Sequence, residues 1–314
     1  MSFTSEILDR NFEIYNCNNR DELNLNSETI LNIEPDAFKN CRQRKIRTLY
    51  LQQTTKVDDN KNKIGLTLTR KHLSLFEPLK EHLEELKLEC SFECEFNFLE
   101  HLKHLKKFTL KNYDIVSNGK PVFKRANNQL TQLEIRYGYL RSSDKTMFND
   151  LKRLKHLDLS VIRLDDNVLP DLFSELKQLE SLTLMSSTLK PTQDMFIHLE
   201  NLKELRFLHT EIPIECSNIF APLKSLQKLT LGWTSTFNND AFRQVKNLRE
   251  IELYSFSTME IDENFFDNHP HLESLDLSHL IESDPNTIND KYCIDMKAFA
   301  NLKSLKSCLL YTSR

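Results

Sequence analysis

A phenylalanine followed by leucines at fixed offsets returns along this chain about every 22 to 25 residues, and that period limits what the chain can become. The clearest copies are FNDLKRLKHLDLS from Phe148, FSELKQLESLTLM from Phe173, FIHLENLKELRFL from Phe196 and FAPLKSLQKLTLG from Phe220, which align without gaps. FRQVKNLREIELY from Phe242 and FDNHPHLESLDLS from Phe266 keep the frame, and FANLKSLKSCLL from Phe299 opens one more copy after a longer interval. Upstream, IRTLYL from Ile46, LEELKL from Leu83, LKKFTL from Leu105 and LTQLEI from Leu130 preserve the end of the pattern, with Phe38, Phe76, Phe98 and Phe123 ahead of them. Each copy holds one short strand and one return. Neither can bury its own leucines, so the copies have to stack.

Within LxxLxL the alternation sends Leu157 and Leu159 to one side and His156, Asp158 and Ser160 to the other, which predicts a strand. The segment before it, as in residues 170–176, spaces apolar residues at three and four. That suits a helical turn opened by a nearby Asp, Asn or Ser. Strand, turn and return, repeated, predict an α/β solenoid with a parallel sheet on its concave side and short helices or loops on its convex side. About ten strands spaced near 4.8 Å would give a sheet roughly 45 Å long. Four or five buried apolar side chains per copy, at roughly 1.5 to 3 kcal/mol each, offset the entropy of ordering the chain.

The LxxLxL strands with Phe-xx-Leu-xx-Leu returns resemble the leucine-rich repeat family, in the typical form of Toll-like and Slit-like proteins, over about residues 30 to 310. The resemblance implies a horseshoe-shaped solenoid whose concave face binds a protein ligand. It departs from the family at the third residue after the last strand leucine, usually an asparagine laddered between coils. Here that position reads Ser91, Tyr113, Gly138, Ile162, Ser187, Thr210, Thr234, Phe256 and Leu280. Serines and threonines are expected to replace part of the ladder, with less regular convex turns. Residues 12–25, with Cys17 in FEIYNC, resemble the last part of the N-terminal cap of secreted members. Residues 1–29 are therefore read as a cap-like segment and 30–307 as the solenoid. Residues 308–314, CLLYTSR, resemble a translated sequencing adapter and are read as a scar, although Cys308 and Leu310 also fall in phase with Leu157 and Leu159. On either reading the array stops inside a copy, and the natural chain is expected to be longer. Polar insertions at about residues 52–70 and 281–296 are read as surface loops.

Charged residues make up 28% of the chain and the formal net charge is −4, so a nucleic-acid partner is not expected. Only 4 glycines occur, and no phosphate-cradling glycine motif is among them. No apolar run of about 18 residues is present to span a membrane, and Glu6, Asp9, Arg10 and Glu13 stand where an export signal would be apolar. The cysteines, Cys17, Cys41, Cys90, Cys94, Cys216, Cys293 and Cys308, lack the paired spacing of a zinc site. Bridges between Cys17 and Cys41 and between Cys90 and Cys94 stay open beside the reading of buried thiols. No metal or cofactor is expected.

His156, Asp158 and Ser160 carry the residue types of a hydrolase triad, but side chains two apart on a strand stand nearly 7 Å apart and cannot pass a proton. His269, His271 and His279 lack converging spacing and are read as solvent-exposed, as are His101 and His104 on the returns. An enzyme is therefore not expected. The concave rows change along the chain, from Glu85, Lys87, Glu89, Lys107, Lys111, Glu134 and Arg136 to Met185, Arg206, Leu208, Trp233 and Tyr254. The latter five are the candidate partner-binding residues, with the single tryptophan at their centre. The expected function is a protein-binding module, in the recognition region of an extracellular or cell-surface receptor, adhesion or matrix protein. The alternative is an intracellular adaptor such as the substrate-reading part of a ubiquitin ligase complex. It draws on one count: chance places roughly four N-x-Ser/Thr acceptors among 27 asparagines, and none occurs.

Overall fold

The structure is a computed structural model that describes residues 2–10, 21–26, 32–52, 56–57, 63–64, 67–89, 91–92, 96–111, 114–116, 123, 129–141, 146–164, 171–186, 188–234, 238–256, 259–279 and 292–310. The chain divides into two compact units, Met1–Asp158 and Leu159–Arg314. The first holds the parallel strands β1 (Glu22–Asn26), β2 (Thr48–Gln52), β3 (Glu85–Glu89), β4 (Lys107–Lys111) and β5 (Gln132–Arg141) in chain order. Strand β6 (His156–Leu164) carries the division between the units. The second holds β7 (Ser181–Met185), β8 (Glu204–Leu208), β9 (Lys228–Thr234), β10 (Glu250–Phe256), β11 (Ser274–His279) and β12 (Ser307–Leu309), again parallel and in order. This is the leucine-rich repeat solenoid expected from the period.

Register is the consequence that matters for function. In the first unit Glu22, Thr48, Glu85, Lys107 and Gln132 stand side by side. In the second, Ser181, Glu204, Lys228, Glu250, Ser274 and Ser307 do the same. A single carbonyl ahead of each strand sets this register by accepting two successive N–H groups from the next coil. Glu180 O takes Lys203 N and Glu204 N at 2.8 and 3.0 Å, and Lys203 O takes Gln227 N and Lys228 N at 2.8 and 2.9 Å. Equivalent repeat positions therefore form straight rows along the sheet of each unit.

The inward strand positions are buried leucines, among them Leu86, Leu88, Leu205 and Leu229. Behind them the period's phenylalanines form the spine, and Phe38, Phe76, Phe123, Phe148, Phe173, Phe196, Phe220 and Phe242 are all fully buried. Their rings meet from coil to coil: Phe76 to Phe98 at 4.6 Å and Phe123 to Phe148 at 5.8 Å in the first unit, Phe196 to Phe220 at 6.1 Å in the second. Such contacts add about 0.5 to 1.5 kcal/mol each beyond the area they remove from water.

The returns are 3₁₀ turns more often than α-helices, as at Lys39–Arg44, Arg70–Leu79, Asp171–Phe173 and Ile214–Cys216. The cause lies in the spacing of the apolar residues, which is three throughout Phe-xx-Leu-xx-Leu. Three residues per turn bring side chains three apart into line. The backbone follows, with Leu176 N donating to Phe173 O and Leu179 N to Leu176 O, both at 3.0 Å, and the same pair at Phe196, Leu199 and Leu202.

A lateral ladder does exist, but at a different repeat position. Five residues after the phenylalanine, Asn201 Nδ2 donates to Lys177 O and Asn247 Nδ2 to Lys224 O, each at 2.9 Å, and Ser304 Oγ donates to Pro270 O at 3.1 Å. At the family's usual ladder position Thr210 is buried and gives its hydroxyl to Ser186 O at 2.8 Å, the replacement of asparagine that was expected.

At the ends, β1 falls inside the segment read as a cap, and β12 places Cys308 opposite Leu275 in the common register. Residues 11–20, with Cys17, and residues 311–314 lie outside the described ones, as do Cys90 and Cys94, while Cys41 is buried. The first insertion, read as a loop, contains an antiparallel pairing of Lys56–Val57 with Lys63–Ile64. In the second, Tyr292–Ile294 pairs in parallel with Met259–Ile261. No helix among the described residues is long and apolar enough to cross a membrane.

The displaced ladder is directly testable. Asn247→Ala is expected to cost about 1 kcal/mol, because it leaves the Lys224 carbonyl without its partner. Gln178→Ala, at the same repeat position but without a ladder bond, should cost under about 0.5 kcal/mol. Urea denaturation followed by circular dichroism separates the two, and equal losses would contradict the ladder.

Candidate binding face

The side of each sheet opposite the core carries ordered rows of polar side chains, and in the first unit those rows alternate in sign. One residue ahead of the strands, Arg47 lies 3.7 Å from Asp21 and 3.4 Å from Glu84, and Lys106 reaches Glu84 at 2.7 Å. In the next row Lys107 bridges Glu85 at 3.3 Å and Glu134 at 3.6 Å. Further along the strands Lys111 meets Glu89 at 3.7 Å, and Arg136 pairs with Glu134 at 3.6 Å and with Asp158. The Lys106 ammonium holds the Glu84 carboxyl below its usual range. Burial works against the charge on Lys107, but the carboxylates of Glu134 and Glu85 outweigh it and raise its pKa. Half-exposed pairs of this kind contribute about 0 to 1 kcal/mol each, so they set register more than stability. An open recess of about 430 Å³ over the start of β1 to β5 is lined by these same paired groups.

The second unit repeats the device: Lys203 pairs with Glu180 at 2.7 Å, and Glu273 takes both Arg249 and Lys306. Lys228 lies 3.3 Å from Glu250 and 2.9 Å from Glu252, whose hydrogen bond is the main reason its pKa is raised. Arg206 also reaches Glu252, at 3.5 Å, and Thr230 Oγ1 donates to it at 3.0 Å. In the row of His156, Asp158 and Ser160, Asp158 is engaged by Arg136. Among the described residues no group of three or more His, Cys, Asp or Glu side chains converges on a metal-sized point.

The third outward row changes character between the units. It reads Glu89, Lys111 and Arg136 in the first and Met185, Leu208, Gly232 and Tyr254 in the second. Met185 and Tyr254 are partly exposed. Leu208 corrects the expectation of an exposed contact: it is 2% exposed. The position opposite it is Gly232, with φ at 153°, where an added Cβ would lie 2.4 Å from the Cβ and carbonyl oxygen of Tyr254. On its other side β10 slips register against β11, pairing Tyr254 with His279. Trp233 follows Gly232 within β9, and its side chain lies outside the described residues. Arg206 sits in the middle row, held by Glu252. Sequence reading missed Gly232, although a glycine in place of a large residue at an outward strand position signals a close approach.

Two histidines are buried, and His269 corrects the expectation of an exposed ring. His72 is buried, and its Nδ1 accepts the Thr69 N–H at 2.9 Å to cap the Arg70–Leu79 turn. His269 stands where the other copies carry Leu151, Leu176, Leu199 and Leu223, three residues after the phenylalanine, and it is fully buried. Its ring stacks on Phe242 at 4.3 Å and lies edge-on to Phe266 at 6.4 Å. Neither ring nitrogen completes a hydrogen bond. Burial pushes its pKa down to about 4, with backbone groups of Phe242 and Phe266 opposing the shift weakly. His271 is exposed, as are His101 and His104.

The family described as BspA type leucine rich repeat region matches this chain in six copies, over residues 3–61, 95–203, 166–291 and 210–313. The chain belongs to that leucine-rich repeat family. Among curated proteins it is similar to Toll-like receptor 4 of Bos taurus, 41% identical over 108 residues, which is 32% of this chain and 12% of the receptor. Toll-like receptor 4 of Equus caballus is 41% identical over 97 residues, 29% of this chain and 11% of the receptor. The matches therefore span a small part of those receptors. Among solved structures, the crystal structure of a TLR13-ssRNA13 complex aligns with a TM-score of 0.61 at 22% identity, over 92% of this chain and 43% of that one, which is a likeness of fold.

Two stability predictions follow from the site. His269 has a folded pKa near 4 against 6.5 in the unfolded chain, so between those values the unfolded state binds more protons. Stability is complete above pH 6.5 and falls by about 3 kcal/mol as the pH drops to 4. His269→Leu should remove that slope, and melting curves across this window that match the parent would contradict the assignment. Gly232→Ala should cost about 2 kcal/mol or more, since the new methyl group meets Tyr254 backbone in a conformation that L-residues resist. A melting temperature unchanged from the parent would show that the close approach is absent.

Proposed function

We propose that this chain is a protein-recognition module whose ligand docks on the outward sheet face of the second unit. We further propose that it serves as the recognition region of an extracellular or cell-surface receptor, adhesion or matrix protein. The observation that carries the reading is the third row, where the knitted charges of the first unit give way to Met185, Tyr254 and the backbone of Trp233 around the buried Leu208. Aromatic and methionine side chains held on a rigid ladder, beside an arginine fixed by a carboxylate, have the makeup of an interface hot spot. The likeness of parts of the chain to Toll-like receptor 4 supports the receptor reading.

The TLR13 structure is a complex with single-stranded RNA. For this chain a protein ligand is favoured, because nucleic acid is held by cations free to displace counterions from phosphates. Most cations of the outward rows, Lys107, Lys111, Arg136, Lys228 and Arg206 among them, are already held by carboxylates.

The test is a binding screen of the tetramerised chain against secreted and cell-surface proteins, with cytosolic ubiquitin-ligase substrates and adaptors as the second arm. A saturable ligand from the first arm is expected, and Trp233→Ala combined with Tyr254→Ala should weaken it at least about tenfold, or 1.4 kcal/mol. The thermal melt should stay unchanged. A ligand found only in the cytosolic arm would replace the receptor reading with the adaptor one. Unchanged affinity in the double variant would remove the sheet face as the site.

A further inference from the structure

Two sets of basic residues in the second unit differ in how they are held. Those one residue ahead of the strands or on them, Lys203, Lys228, Arg249 and Lys306, are each locked to a carboxylate of a neighbouring coil. Those four residues after the repeat phenylalanine, Lys177, Lys224, Lys246 and Lys303, are exposed and make no ion pair among the described residues. All four occupy one repeat position, so stacking brings them to one lateral edge of the unit. The displaced ladder fixes that edge, because Asn201 and Asn247 clamp the carbonyls of Lys177 and Lys224 themselves. The row is interrupted by Glu200 between Lys177 and Lys224 and by Pro270 between Lys246 and Lys303.

Beside Lys203, Lys228, Arg249 and Lys306, which carboxylates neutralise, these four lysines leave ammonium groups in a backbone-anchored line. We infer that this edge binds a linear sulfated polysaccharide, the lysines contacting successive anionic groups. The residues beside the lysines decide between polyanions. Asn201, Asn247 and Ser304 hold the ladder, and Gln178, Ser225 and His271 offer an amide, a hydroxyl and an imidazole suited to hydroxyl and sulfate oxygens. The row has no Phe, Tyr or Trp on which unpaired bases would stack, which single-stranded nucleic acid binding relies on. The site lies off the sheet face and does not depend on the protein-recognition reading.

The probe is a size-fractionated heparin oligosaccharide, measured by surface plasmon resonance on the full chain, with neutral dextran and a single-stranded RNA of matched charge as comparisons. Heparin is expected to bind, dextran not to bind, and RNA to bind at least about tenfold more weakly. Replacing Lys177, Lys224, Lys246 and Lys303 together by glutamine should abolish the heparin signal. Partial replacement should lower the slope of log affinity against log salt by about 0.7 for each lysine lost. Glu200→Lys, which fills the gap in the row, should tighten binding at least about threefold. Circular dichroism and melting of each variant identify misfolding, and the gain expected of Glu200→Lys does not depend on the survival of the multiple variant. RNA binding as tight as heparin, heparin binding indifferent to the four lysines, or no tightening with Glu200→Lys would each overturn the inference.

Discussion

Every coil of this protein depends on the next one to keep its leucines dry. A strand of five residues and a return of two or three 3₁₀ turns present an apolar side and have nothing of their own to put against it, so burial is a property of neighbours and not of single copies. Leu205 and Leu229 are fully buried only because β7 to β10 lie in one register, and the stacked Phe196 and Phe220 rings lock the back of the same coils. Stability is then close to a sum of interfaces between adjacent coils. A weak interface is felt locally, which is why a histidine among the spine phenylalanines matters more here than one buried histidine would in a compact core.

The same in-phase stacking explains the electrostatics. Once equivalent positions form rows, a like charge at one position in successive copies would set a line of repelling groups about 4.8 Å apart. The chain avoids this by alternating sign across neighbouring coils, as in Asp21, Arg47, Glu84 and Lys106, or Arg249, Glu273 and Lys306. A coil shifted by one copy would meet its own sign. The ion pairs thus act chiefly against wrong stacking, a role consistent with their exposure and their small individual worth.

How much of this was legible in the sequence follows from which features are periodic. The strands, the phenylalanine spine and the parallel order were readable because each is repeated, so an error in one copy is corrected by the others. The 3₁₀ character of the returns was also written there, in apolar spacing of three, but a helical turn and a 3₁₀ turn share that spacing over so short a span. What could not be read were single departures. His269 looks like any surface histidine until the alignment puts it in the column of Leu176 and Leu199. Leu208 obeys the alternation of an outward residue and is buried all the same, in register with Gly232. The strand Glu22–Asn26 was concealed by likeness to a cap, although Leu23 and Leu25 alternate as in every other copy.

Function in a repeat protein has to reside in what breaks the repeat or in what the repeat leaves unspent, since everything periodic is consumed by stacking. On the sheet face of the second unit the third row carries Met185 and Tyr254, where the same repeat position in the first unit carries the paired charges Glu89, Lys111 and Arg136. Gly232 then removes a side chain from the middle of the patch. The cost of ordering this glycine in a strand is borne by no packing gain of its own. The close approach of Tyr254 is the one thing it permits. On the proposed reading of this face as the docking site, a strand tolerates such a residue for the surface it shapes, and the geometry around Tyr254 weighs more than the count of apolar residues near it.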